Sequence, residues 1–279
     1  MDKAQEHDLV KLQTAEATAC IHLHGATLIS WVYKGKEQIF VSSKAVIDNK
    51  KAIRGGIPFV FPNFGPWSLG PQHGFARITR WAVNEAPHSV ADGGCAASLV
   101  LEDTEETRKM WNFKFRVVYM VILRKNNLVL DVKVTNTGEE EFSFTILLHT
   151  YLRLDDVNQL SISGLRGCPY IDKVKDGERC LEYEEQLHIR GPTDRVYCKT
   201  SDTHTCSVAD KARVIVKKTN NFPDTVIWNP WDKGAASMAD FGDDEYTKMV
   251  CVEPGYVSEP WKLPAKQTFE SSCTMEVVE

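Results

Sequence analysis

FKFRVVYMVILRKNNLVLDVKVTNTG, residues 113–138, decides the fold. Phe113, Phe115, Val117, Tyr119, Val121 and Leu123 alternate with other residues, and after KNN the alternation resumes at Leu128, Leu130, Val132 and Val134. A period of two puts each set on one face of an extended strand, and a polar break between two such runs reads as a hairpin. Outward from it, similar runs recur at CIHLHGATLISWVY (20–33), QIFVSS, CAASLVLE, QLSISG, RVYCKT, TCSVADKARVIVKK, DTVIWN, MVCVE and TFESSCTMEVV, with Gly, Asn, Asp and Pro between them. Many short strands at close spacing predict an all-β antiparallel sandwich or barrel. Helix is expected only in short pieces, at AVIDNKK (45–51) and just after Trp231.

Composition bounds the rest. At 279 residues with 43% hydrophobic side chains, the chain can bury one large core, and all-β domains of this size are often undivided. A single domain over 1–279 is expected, with no repeat or linker to split it. A formal charge of -5 opposes general binding to nucleic acid or to a membrane surface, so any anion site must be a local cluster of arginines. The eight cysteines form no CxxC pair, which points to reduced thiols, several of them in the core. The opening MDKAQEHDLV lacks an apolar leader and no run of about 18 apolar residues occurs, so a soluble, cytoplasmic protein is expected. It is also expected to be a monomer.

Two residues inside strand-like runs stand out. In FSFTILLHTYLR (142–153), read as one strand, Phe142, Phe144, Ile146 and Leu148 form the apolar face, while His149 shares the other with Ser143, Thr145, Leu147, Tyr151 and Arg153. Glu253, in MVCVEP, follows Val250, Cys251 and Val252 and is expected to be partly buried. Buried glutamates are uncommon and are usually paired or functional. A satisfied core histidine and a structural ion pair are the plainer readings; the functional one is an acid and a base held on separate strands.

The segment RGGIPFVFPNFGPWSLGPQHGFAR (54–77) packs five glycines and four prolines between two arginines. Such density fixes backbone direction and lets a ligand approach closely, though ordinary loops also show it. Arg54 and Arg77 can converge on a phosphate through their multi-donor guanidinium groups, the alternative being surface ion pairs. Trp228 to Trp231 offer either a stacking platform for a sugar or core packing. His22 and His24 fall on one strand face, which suits two metal ligands, but the spacing supplies no third and no metal site is expected. P-loop, GxGxxG and GxSxG patterns are absent.

The strings RGGIPFVFPNFG, PQHGFARITRW, LLHTYL, TDRVY, IWNPWDKGAASMADFGDDEY, MVCVEP and LPAKQTFE, in this order over roughly residues 20–275, resemble the glucose-6-phosphate 1-epimerase (hexose-6-phosphate mutarotase) family, a branch of the aldose 1-epimerase superfamily. The resemblance implies a galactose-mutarotase-like β-supersandwich that interconverts the α and β anomers of hexose 6-phosphates without metal or cofactor. It implies His149 as general acid and Glu253 as general base, with Arg54, Gln72, Arg77 and Asp194 contacting the substrate and the arginines taking its phosphate. His73 matches a site-lining histidine of the wider superfamily. The chain departs from the pattern at Pro254 and Gly255, which follow the glutamate where small alanine-like residues are frequent, and at Gly70, where leucine is common. On this reading the apolar setting raises the pKa of Glu253, while carboxylates such as Asp194 raise that of His149 and keep it charged. The alternatives are a mutarotase of unphosphorylated aldoses, a noncatalytic sugar-phosphate-binding module, and a glycosidase, the last disfavoured because two carboxylates normally do that work.

Overall fold

In the computed structural model, which describes residues 7–219 and 221–279, the strands assemble into three sheets of four, eight and nine strands. The hairpin at the start of the sequence reading forms as expected. Phe115–Leu123 pairs antiparallel with Asn127–Asn136, and Phe115, Val117, Tyr119, Val121, Leu123, Leu128, Leu130, Val132 and Val134 are all buried. This hairpin lies within the nine-stranded sheet, which runs from Gln186–Leu187 through Leu160–Ser163, Thr203–Val208, Lys211–Lys218 and Thr268–Val277 to the hairpin, and then to Cys95–Glu102 and Ala82–Ser89.

The eight-stranded sheet carries the site. Its path is Glu178–Leu181, Pro169–Asp172, Thr193–Tyr197, Asp224–Asn229, Met249–Leu263, Phe142–Leu148 and Phe59–Val60, with Tyr151–Arg153 pairing separately to Met249–Leu263. It packs on the nine-stranded sheet through aromatic contacts: Phe59 meets Tyr119 with ring centroids 5.2 Å apart, and Phe144 meets Phe269 at 5.4 Å. Edge-on aromatic pairs of this kind add to the stabilisation from buried apolar area. Because side chains alternate along a strand, Val250 and Val252 enter this shared core while Cys251 and Glu253 face the opposite side of the sheet.

Three local readings need correction. Residues 45–51 form no helix; Asp48 instead accepts the backbone amides of Lys50 (2.9 Å) and Lys51 (3.1 Å), a turn that competes with helical hydrogen bonding. The helix Trp231–Ala236 is present, and a second, Glu105–Met110, begins at Thr104 with a reciprocal cap between Thr104 and Thr107. Residues 142–153 are not one strand, because the chain breaks at His149 and Thr150 between Phe142–Leu148 and Tyr151–Arg153. The eight cysteines are all free thiols. No described helix is long and apolar enough to cross a membrane.

One buried group gives the fold a pH dependence. His204, fully buried, contacts the hydroxyls of Thr225 (2.8 Å) and Thr200 (3.2 Å), and burial, with Lys218 nearby, lowers its pKa to about 4. Between that value and the ordinary 6.5 the unfolded chain binds a proton that the folded chain does not, so this contribution to stability is lost as pH falls. His204 alone should remove about 2 kcal/mol of stability between pH 7 and pH 5. Urea unfolding at both pH values checks this: in His204→Gln the acid-induced loss should shrink by that amount, and an unchanged loss contradicts it.

Candidate functional site

A cavity of about 480 Å³ opens on the face of the eight-stranded sheet turned away from the core. Register explains which residues line it. Asp194 lies opposite Trp228, Trp228 opposite Cys251, Cys251 opposite Tyr151, and Val226 opposite Glu253, and directly opposed residues share a face. Asp194, Val226, Trp228 and Glu253 accordingly line the cavity. Gly55 and Gly56, both at positive φ, carry Arg54 to one wall by passing close to the backbone of Phe40, Val41 and Leu28. At Gly74, φ +71°, a Cβ would stand 2.2 Å from the carbonyl oxygen of Phe61, so only glycine lets the loop turn there and set His73 and Arg77 over the cavity.

The break in residues 142–153 has a function in this geometry. The amide of His149 donates to the Pro58 carbonyl at 3.0 Å, and both the amide (2.8 Å) and the hydroxyl (3.1 Å) of Thr150 turn back to the Leu148 carbonyl. That pins the imidazole where the sheet ladder is interrupted. The ring stacks on Tyr151, with centroids 4.8 Å apart, and meets His73 and Trp228 edge-on at 5.9 Å and 6.0 Å.

His149 Nδ1 and Glu253 Oε1 lie 3.4 Å apart. Both side chains are buried, and among the described residues neither Nδ1 nor either carboxylate oxygen has a partner that meets strict hydrogen-bond geometry, although the Cys251 thiol stands close enough to Glu253 to favour its ionised form. Buried polar atoms left without partners are costly, and a native fold that tolerates several at one spot has a use for them. The ion-pair partner of Glu253 is His149 itself; among the described residues no Lys or Arg nitrogen lies within ion-pair distance of its carboxylate.

Electrostatics push the pair in opposite directions. Burial raises the pKa of Glu253 well above the usual carboxylate value, helped by Asp194 and opposed by Lys173 and Arg77. Burial lowers that of His149 well below 6.5, and His73, Arg77 and Arg54 add to the effect. The expectation that Asp194 raises the pKa of His149 is therefore wrong: Asp194 acts on Glu253, and burial together with His73, Arg77 and Arg54 outweighs the Glu253 carboxylate 3.4 Å from Nδ1. Each group is thus pushed toward its neutral form.

The other sequence candidates also reach this cavity. Arg54, Gln72, His73, Arg77 and Asp194 all line it. Arg54 Nε donates to Asp240 at 3.1 Å, and Arg77 donates to the backbone carbonyl of Gln72 at 2.9 Å while its Nε stays buried without an acceptor. His73 Nδ1 accepts the Gly65 amide at 3.1 Å, which leaves the proton of the neutral ring on Nε2. Burial together with Arg77, Lys173 and Arg54 lowers its pKa to about 3, so it is a neutral donor near pH 7.

Of the aromatic group 228–231 only Trp228 joins the site; Trp231 packs on Tyr246, and Asn229 ties down the carbonyls of Tyr246 and Met249. His22 and His24 do not form a ligand pair. His24 lies beyond the end of its strand, its amide donates to His22 Nδ1 at 3.0 Å, and its Nε2 meets the Lys51 carbonyl at 2.8 Å. Sequence reasoning missed Phe64, Met238 and Lys173, whose ammonium lies 4.1 Å from the Phe64 ring centroid. Lys173 stands in KVKDG, a charged run whose natural reading is a solvated turn, and no spacing marks it.

This antiparallel sandwich is the galactose-mutarotase-like architecture. The Aldose 1-epimerase family model matches residues 8–276, and the chain belongs to that family. A protein of Cenchrus ciliaris is 35% identical over 265 residues, spanning 92% of this chain and 80% of its own length, and one of Escherichia coli K12 is 36% identical over 267 residues, spanning 94% and 87%. Both are named, provisionally, glucose-6-phosphate 1-epimerase. The crystal structure of a Salmonella typhimurium protein, provisionally a mutarotase, superposes with a TM-score of 0.88 at 29% identity, covering 97% of this chain and 90% of that one.

Proposed function

We propose that this aldose 1-epimerase acts on hexose 6-phosphates, with glucose 6-phosphate its first substrate. The observation that carries the reading is the pairing of two features on one cavity: the buried His149–Glu253 pair, and Arg54 and Arg77, all of which line it.

An anomer inverts by opening its ring. Glu253 takes the proton of the C1 hydroxyl as His149 gives one to the ring oxygen, the C1–O bond breaks, and the open aldehyde forms. Rotation about C1–C2 presents the other carbonyl face, and closure with both transfers reversed yields the opposite anomer. One proton leaves the sugar as another enters, so the pair's proton count is unchanged and needs no exchange with bulk water. The productive arrangement is carboxylate with imidazolium, the less favoured one in the free protein. A phosphate dianion beside Arg54 and Arg77 offsets two of the cations that depress the basicity of His149, and so draws the proton toward the imidazole. Held at the end that does not react, the phosphate also positions C1 and retains the open chain while it turns. His73 can donate through Nε2, and Asp194 can accept from a sugar hydroxyl.

Proton NMR exchange spectroscopy on glucose 6-phosphate tests the reading. Interconversion of the α and β resonances should accelerate in proportion to enzyme concentration, and more for the 6-phosphate than for glucose at equal concentration. Equal acceleration of both sugars returns the assignment to a mutarotase of unphosphorylated aldoses.

A further inference from the structure

Arg54, Gln72 and Arg77 line a second cavity, of about 320 Å³, as well as the first. They therefore form the partition between the two. On its other side the second cavity is bounded by Lys50 and Lys51, and Asp240 is the one carboxylate on its wall, already engaged by Arg54 at 3.1 Å. Four cationic side chains against one carboxylate leave a formal local charge of +3 in a chain whose total is -5. A concave surface carrying such a patch focuses its field and favours anions there.

A single phosphate on the sugar side needs the arginines alone. Lys50 and Lys51 lie beyond them, exposed, on a loop whose backbone the Asp48 turn fixes, so their flexible stems can follow an anion that extends through the partition. Resting on the phosphate role given above to Arg54 and Arg77, we propose that the second cavity is a further anion subsite, where Lys50 and Lys51 hold the outer phosphoryl group of a diphosphate-class polyanion whose inner phosphoryl group meets the arginines. Such a polyanion occupies the phosphate position of the substrate and competes with it.

The probe is inorganic pyrophosphate, compared with orthophosphate at constant ionic strength, read as competitive inhibition of anomer exchange and as direct binding by calorimetry. Pyrophosphate should bind at least about 10-fold more tightly than orthophosphate, as two added charge-assisted contacts imply. In the double variant Lys50→Ala, Lys51→Ala the ratio should fall below about 3-fold, with the KM for glucose 6-phosphate and the orthophosphate affinity unchanged. Removing Lys211 and Lys217, which lie on the nine-stranded sheet, should leave the ratio in place. The subsite is overturned if pyrophosphate binds no better than orthophosphate, if its advantage survives the loss of Lys50 and Lys51, or if the distant lysines matter equally. If orthophosphate itself does not compete, the phosphate role of the arginines falls, and the subsite falls with it.

Discussion

His149→Ala and Glu253→Gln should each slow enzymatic anomer exchange of glucose 6-phosphate by roughly 10²- to 10⁴-fold, the range of one positioned acid or base. Binding should survive, because the arginines contact the far end of the molecule; calorimetric affinity should change only a few-fold. The two losses should not add. Ring opening needs a proton removed and a proton supplied in the same event, so once one partner is gone the other has little left to do, and the double variant should resemble the worse single one. Glu253→Gln keeps the shape of a fully buried side chain and removes a group whose ionised form the cavity destabilises, so its folding stability near pH 7 should equal or exceed that of the parent. A slow variant with undiminished stability separates chemistry from structural damage. Full exchange activity in either single variant would end the acid/base assignment.

Arg77→Ala should lower kcat/KM for glucose 6-phosphate by roughly 10- to 100-fold while changing that for glucose less than about 3-fold, since truncating one hydrogen-bonded charge at a buried anion costs some 1.5–3 kcal/mol. Arg77 is the more informative arginine. Its guanidinium is fixed to the Gln72 carbonyl, yet its buried Nε has no acceptor, whereas Arg54 is already held by Asp240. Measuring both sugars in each protein cancels any general damage to the site, so the difference between the two losses carries the test. Equal losses mean that the arginine does not read the phosphate.

The alternation in 113–138 was enough to predict the antiparallel architecture, because burial of one strand face is a local property with a period of two. The same logic put His149 on the face away from Phe144 and Ile146, and that direction holds although the strand is broken there. What failed was of another kind. The break at His149 and Thr150 depends on the Pro58 carbonyl, ninety residues back, and the missing helix at 45–51 depends on Asp48 capturing two amides that a helix would use differently. The pKa of His149 shifts opposite to the expectation because which charges surround it depends on how distant strands and loops come together, a long-range property.

Period and composition, being local, determined by themselves a β protein of net negative charge, with a histidine and a glutamate in strand-like runs and arginines at the ends of a glycine-rich segment. Motif order added the family. Only the tertiary structure decided that His149 and Glu253 meet at 3.4 Å, that Lys173 and Met238 join them, and that the arginines stand between two cavities. These are facts about register and closure between segments up to two hundred residues apart, and such contacts are fixed by how whole sheets pack rather than by any window of the chain.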